Sequence, residues 1–280
     1  MHNFKNRSNE QGQVLLIIVM LLATVITVVT TVSFKSTTDT QLTKLEQESQ
    51  KTLAAAEAGI EKAVGTSLNN NTYLYSDNSV NLNNLSGIAL DKSQVTVSTQ
   101  QGTEFSSPTI QNGQEYTFYL SDYDTATGAL SNPYTGNITL YYGSEYTSSA
   151  GCSNIALELT MVINNAGVYS LKRYIADVSG KFGAAAQTDP NNLAQTGITT
   201  VDGVKYYCKT SVITPPANTF LLIARSLFDK TKVAIQGTVS LRPQGKIITS
   251  EAQSLSGIVK KVELFQSLPQ IPAEFFVTSF

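Results

Sequence analysis

VLLIIVMLLATVITVVTTV, residues Val14–Val32, is a run of nineteen residues without a charge, fifteen of them apolar and four Thr. As an α-helix rising 1.5 Å per residue it would be about 28 Å long, close to the roughly 30 Å hydrocarbon core of a bilayer. A secretory signal peptide has a shorter apolar core and then a small-residue cleavage motif. Here the run passes into Ser33-Phe34-Lys35-Ser36, polar and helix-compatible, so removal after the apolar stretch is not expected. Upstream lies MHNFKNRSNEQG, residues 1–12, whose Lys5, Arg7 and terminal amine would stay on the cytoplasmic side and send the remainder outward.

Downstream, Leu42, Leu45, Leu53, Ala56, Ile60, Val64 and Leu68 fall mostly at three- and four-residue steps, and no Pro interrupts residues 13–68. This predicts one continuous helix about 84 Å long. Residues 13–34 would span the membrane, and residues 35–68 would form an amphipathic continuation covering a globular domain with its apolar stripe. A plain membrane stalk is the alternative.

From residue 69 the pattern changes. NNNTYLYSDNSVNLNNLSG is turn-rich, and strand-like runs follow at Gln94–Thr99, Glu115–Ser121, Asn137–Tyr142, Ile155–Ile163, Val168–Asp177, Val204–Ile213, Thr219–Ser226, Lys232–Leu241 and Ile258–Phe265. Asn164-Asn165-Ala166-Gly167 reads as a tight hairpin turn, and Phe228-Asp229-Lys230-Thr231 as a second short reversal. Pro215-Pro216 is a candidate internal boundary. The fold class is α+β: a long N-terminal helix, then a β-rich antiparallel sheet or sandwich over residues 69–280.

Charged residues make up 14% of the chain, against roughly 25% in soluble globular domains, and Tyr, Ser, Thr, Asn and Gln supply the polarity instead. The formal net charge is −2, with no Lys/Arg block after the leader, so the usual electrostatic footprint for nucleic acid is missing. Cys152 and Cys208 are the two cysteines. In an exported chain one disulfide is the natural pairing, with two unrelated buried thiols as the alternative. They cannot complete a zinc shell without histidines, so no metal is expected there.

Three segments taken together, QGQVLLIIVMLLATVITVV, SFKSTTDTQL and TLAAAEAGIEKAV, resemble the N-terminal region of PilX-type minor pilins. In that family a polar leader ends in Gly, a hydrophobic helix follows, an "ST" segment comes next and an "A-AEAG" segment closes the shared part. Here these are Gly12, the apolar run, Ser36-Thr37-Thr38, and Ala55-Ala56-Glu57-Ala58-Gly59; the likeness ends near Gly65. It implies cleavage between Gly12 and Gln13 by a prepilin peptidase. It also implies a filament-core helix that begins Val14, Leu15, Leu16, Ile17, Ile18, Val19, Met20, Leu21, Leu22, partner pilin subunits packed on that helix, and storage in the inner membrane. A glycine suits such a site because a residue without a side chain lets an extended backbone enter a narrow cleft. Major pilins carry Glu at the fifth position after cleavage; here that residue is Ile17, which fits a low-abundance or tip subunit with no second charge to neutralise.

His2, the sole histidine, lies in the leader, so a Ser-His-Asp or Cys-His hydrolase and a histidine-ligated metal enzyme lose their base or ligand. Paired carboxylates could still serve a membrane-anchored glycan hydrolase. Asp122–Gly128 partly resembles a calcium loop but has Ala126 and Pro133 at ligand positions, so an ordinary turn is the reading preferred. No phosphate-binding glycine loop and no cofactor are indicated. The expectation is a non-enzymatic minor pilin acting in pilus assembly or surface adhesion, with Tyr141-Tyr142 and Tyr206-Tyr207 as a candidate adhesive face toward a surface or host ligand. The alternatives are a single-span adhesin or binding protein that keeps its leader, and a type II secretion pseudopilin.

Overall fold

The computed structural model describes residues 10–187 and 189–271. The N-terminal helix α1 (Glu10–Gly65) is a single element of 56 residues. It ends three residues short of the boundary expected at residue 68, and the stop is local. Ser67 enters the left-handed region at φ 50°, and the Leu68 N–H reaches back to the Ala63 carbonyl at 3.3 Å. This is a Schellman-type cap built on serine rather than glycine.

Among the described residues fifteen strands follow: β1 (Asn71–Leu74), β2 (Gln94–Thr99), β3 (Glu104–Ser106), β4 (Glu115–Tyr119), β5 (Asp122–Tyr123), β6 (Leu130–Ser131), β7 (Ile138–Tyr142), β8 (Ala156–Asn165), β9 (Val168–Asp177), β10 (Ala194–Val201), β11 (Val204–Thr210), β12 (Thr219–Leu227), β13 (Ala234–Gly237), β14 (Gly245–Gln253) and β15 (Val259–Ser267). They form sheets of order β1-β2-β14-β15, β10-β11-β7-β13-β3 and β4-β12-β8-β9, with β5-β6 as a small ribbon. The long apolar helix followed by antiparallel sheets is the α+β fold expected.

The chain divides into two compact units. The first holds the residues up to Leu68, with Thr72–Thr96 and Thr249–Val262; the second holds Asn69–Asn71, Val97–Ile248 and Glu263 onward. Both boundaries within β14 and β15 fall at mid-strand, and Pro215-Pro216 lies inside the second unit, so the diproline marks no division.

The second unit is a sandwich. Leu140, Tyr142, Tyr207 and Ile235 from the five-stranded sheet pack with Phe118, Leu157, Leu159, Met161 and Leu222 from the four-stranded one. Hairpin β8–β9 closes with Asn165 opposite Val168. Its positive φ angles fall on Ala166 (53°) and Gly167 (90°), and the Gly167 N–H donates to Asn164 Oδ1 at 2.8 Å. Phe228–Thr231 is not a hairpin turn: β12 belongs to the four-stranded sheet and β13 to the five-stranded one, so the chain crosses the sandwich there.

Cys152 and Cys208 form a disulfide with a Cα–Cα distance of 5.7 Å and a sequence separation of 56. Closing such a loop stabilises by about 4 kcal/mol in the chain-entropy account. Gly143 makes room for it, since a Cβ at that residue would stand 2.5 Å from the Cys208 sulfur.

All four tyrosines of the expected adhesive face are buried. Tyr142 and Tyr207 lie in the sandwich core, and Tyr141 and Tyr206 pack with Val201 and Ala234 in a cluster of their own. Each strand's alternation sends one tyrosine to each face, but both faces are covered, so none is free to form the expected adhesive surface.

The Tyr116 and Tyr142 hydroxyls are buried without a hydrogen-bond partner among the described residues, and burial is the main cause raising both phenols. Burial also pushes Tyr119 and Tyr206 up to about 12. A phenol whose folded pKa exceeds the unfolded value keeps its proton in the fold after the unfolded chain has lost it. Its contribution is therefore full below pH 10 and is lost as pH rises through the folded pKa. Stability should be flat up to about pH 10 and fall from there to about 12, with tyrosinate absorbance rising together with loss of the β-sheet circular dichroism signal. Ionisation of all thirteen tyrosines at an ordinary phenol pKa, with the sheets intact, would contradict this.

Candidate functional site, the N-terminal helix and its packing seam

An α-helix satisfies its own backbone, so what surrounds it depends on its side chains. Over Val14–Val32 those side chains are bare on every side: Val14, Leu15, Leu16, Ile17, Ile18, Val19, Met20, Leu21 and Leu22 are all exposed, from Ile18 at 56% to Leu15 at 65%. Burying one such side chain is worth about 1.5–3 kcal/mol, so a ring of them cannot rest in water. The helix is long and apolar enough to cross a membrane.

The four threonines do not spoil that surface. Thr24, Thr27, Thr30 and Thr31 return their hydroxyls to the carbonyls of Leu21, Ala23, Ile26 and Thr27 at 2.6–2.8 Å. No threonine hydroxyl of the span is left seeking water, as an apolar surrounding requires. Gly12 and Gln13 lie in the helical backbone of α1, and the rest of the leader up to residue 9, with His2, Lys5 and Arg7, lies outside the described residues.

The second half of α1 meets its sheet through a different face from the one its leucines suggest. Leu42, Leu45, Leu53 and Val64 are exposed, Ile60 is half-buried, and of the expected stripe Ala56 and Leu68 are buried. The buried line is instead Thr52, Ala55, Ala56, Gly59 and Ala63, a row of small residues about one-quarter turn away. Residues 35–47 are exposed, so contact begins near Glu48, whose carboxylate accepts the Ser256 hydroxyl.

The motif Ala55-Ala56-Glu57-Ala58-Gly59 therefore splits by helical position: Ala55, Ala56 and Gly59 face the sheet, Ala58 is half-buried at the rim, and Glu57 is exposed. Opposite them stand Tyr75, just past β1, and Ser250 of β14. The Tyr75 hydroxyl donates to the Ala55 carbonyl at 3.0 Å and lies 2.7 Å from the Ser250 hydroxyl. A Cβ on Gly59 would collide with Ser250 Oγ and come within 2.7 Å of the Tyr75 oxygen. Burial raises the Tyr75 phenol above its ordinary range, with the Ser250 hydrogen bond working the other way.

Tyr75 and Ser250 are packing partners of the helix that the sequence does not announce. The first sits in an Asn-rich stretch that reads as turn, and the second in KIITSEAQ, whose inward residues Ile248, Ser250 and Ala252 include only one large apolar side chain.

Elsewhere the candidate chemistry is ordinary structure. Asp124 accepts the Ala126 N–H at 2.9 Å and the Thr127 hydroxyl at 2.6 Å, and these bonds, the hydroxyl first, hold its carboxyl below its usual range. Among the described residues no group of three or more His, Cys, Asp or Glu could hold a metal ion. Comparisons with family models, with curated proteins and with solved structures find no match to this chain.

Replacing Gly59 by Ala should destabilise the first unit by about 1–3 kcal/mol, because the added methyl displaces the Tyr75–Ser250 pair, an overpacking cost larger than the helix-propensity gain. Glu57→Ala, on the exposed face, should change stability by less than about 0.5 kcal/mol. Thermal melts of the two variants in detergent check this, and equal effects would remove the seam from the account.

Proposed function

We propose that the chain is a minor pilin-like structural subunit of a type IV pilus, processed by a prepilin peptidase between Gly12 and Gln13 and held in the inner membrane until assembly. The observation that carries this reading is one unbroken helix with two surfaces. Its first half is apolar all round, and its second half is seated on a sheet through Ala55, Ala56 and Gly59.

A simple membrane anchor needs no rigid continuation beyond the lipid, whereas a subunit that must pass from a membrane into a helical filament does. The same apolar surface that lipid covers in storage can be covered by neighbouring helices in the filament. Continuity of α1 then carries its β-rich region along.

Processing has a physical reason in this scheme. The leader carries Lys5 and Arg7, and drawing a cation to the middle of an apolar environment costs about 2.5–3.5 kcal/mol on insertion scales. Removing residues 1–12 takes that barrier away and leaves the new amine as the terminal charge. Ile17 offers that amine no carboxylate, so a subunit at the tip, or one used sparingly, suits this chain better than a major one.

In the native host, mass spectrometry of the N-terminal peptide should find a chain that begins at Gln13, with a methylated amine. A mature protein that begins at Met1 would sink the pilin reading and leave a membrane-anchored binding protein.

A further inference from the structure

Beyond Val32 the water boundary of α1 is not marked by its threonines. Thr37, Thr38, Thr40 and Thr43 still turn inward and donate to the carbonyls of Ser33, Phe34, Ser36 and Asp39 at 2.8–2.9 Å. Their hydroxyls are taken up by the backbone, as those of the span are. What stays open at this level is different. The Lys35 ammonium, the first charge after the apolar run, and the Ser36 hydroxyl next to it are exposed and have no hydrogen-bond or ion-pair partner among the described residues.

Both line a groove on α1 with Val32, Asp39, Thr40 and Thr43. Val32, one turn before Lys35, is the last apolar residue of the run, and helical side chains lean toward the N-terminus, so the Lys35 stem lies back toward Val32. The head then has to turn away from the hydrocarbon, which a four-carbon stem allows. Phe34 beside it is 70% exposed, so protein covers little of its ring. A ring and a cation in succession at the end of a span suit the polar–apolar interface of a bilayer.

We propose that Lys35 and Ser36 bind the phosphate of a membrane phospholipid in the leaflet at the C-terminal end of the span, and that this contact sets the depth of α1. The occupant follows from continuity and charge. Where lipid tails cover Val14–Val32, the next layer outward is the headgroup region, which puts phosphates at the level of residues 33–36. A phosphate oxygen accepts a charge-assisted hydrogen bond from an ammonium, and a hydroxyl can donate to a neighbouring oxygen of the same group. Asp39 is the nearest acid along the helix and the one competitor for the ammonium. Lys four residues ahead of an acid is the poorer order for a helical pair, and the two form no ion pair here. The Asp39 carboxylate repels an anion from its own turn and leaves the Lys35 turn as the place for one.

The apolar surface of Val14–Val32 is alike at every turn, so it does not by itself fix which turn stands at the interface. A phosphate held at Lys35 does. This rests on the membrane crossing and not on the filament reading.

The test uses the full chain in phospholipid nanodiscs. By solid-state NMR, isotope-labelled lysine ammonium nitrogens should show a dipolar coupling to lipid phosphorus that is lost in Lys35→Met and kept in Lys44→Met. The chain has no Trp, so single tryptophans report depth through quenchers placed at shallow or deep acyl positions. Val25→Trp should be quenched chiefly by the deep label and Phe34→Trp by the shallow one. Lys35→Met should let Phe34→Trp sink by about 6 Å, until Asp39, four residues on, is the first charge, whereas Lys35→Arg should hold the depth. If Val25→Trp escapes the deep label, the membrane crossing itself fails and the proposal with it. If it is quenched there but Lys35→Met keeps the phosphorus coupling, or leaves Phe34→Trp at its original depth, the crossing stands and the proposal is overturned.

Discussion

The close approach of α1 to its sheet at Gly59 is the constraint on which the first unit depends. A helix backbone can come that near a strand only where side chains are missing. The row Thr52, Ala55, Ala56, Gly59 and Ala63 supplies the gap, and the Tyr75 hydroxyl fills what remains by bonding both Ala55 and Ser250. Larger residues would bury more apolar area but would lift the helix off the sheet and break that bridge. The contact therefore gives up area for fixed geometry, as core packing generally does when shape decides the outcome.

From that seam outward the same helix meets opposite demands. Its first half presents side chains that water cannot accommodate, and its threonines turn their hydroxyls inward onto the backbone. Its middle, residues 35–47, is exposed and mostly polar. The second unit is stabilised by other means: a two-sheet core, buried tyrosines that cover both faces of one sheet, and a disulfide that ties the Ser149–Asn154 turn of 3₁₀ helix to β11.

Much of this is legible in the amino-acid sequence where the signal is long or chemically strong. The apolar run, the absence of proline and the hairpin at Ala166-Gly167 each follow from a local rule, and β2 and β9 coincide with the expected strands. The buried face of α1 is not legible. Hydrophobic periodicity picks the leucines, whereas packing against a close sheet selects alanine and glycine, which weigh little in such a pattern. β10 and β14 escape the strand pattern for a related reason: AQTGITTV is half exposed, and GKIITSEAQ buries Gly, Ile, Ser and Ala in place of an aromatic and β-branched row. The crossover after β12 reads as a hairpin because a short polar link says nothing about which sheet the next strand joins. The close packing of Ala55, Ala56 and Gly59 on the sheet is a physical reason for small residues at those positions.

Hydrogen–deuterium exchange of the full chain in lipid nanodiscs tests the two-surface helix most directly. Two protected blocks are expected, Val14–Val32 shielded by lipid and residues 48–63 shielded by the sheet, separated by faster exchange over residues 35–47. Rapid exchange throughout Val14–Val32, or protection that runs evenly from residue 14 to residue 63, would contradict it.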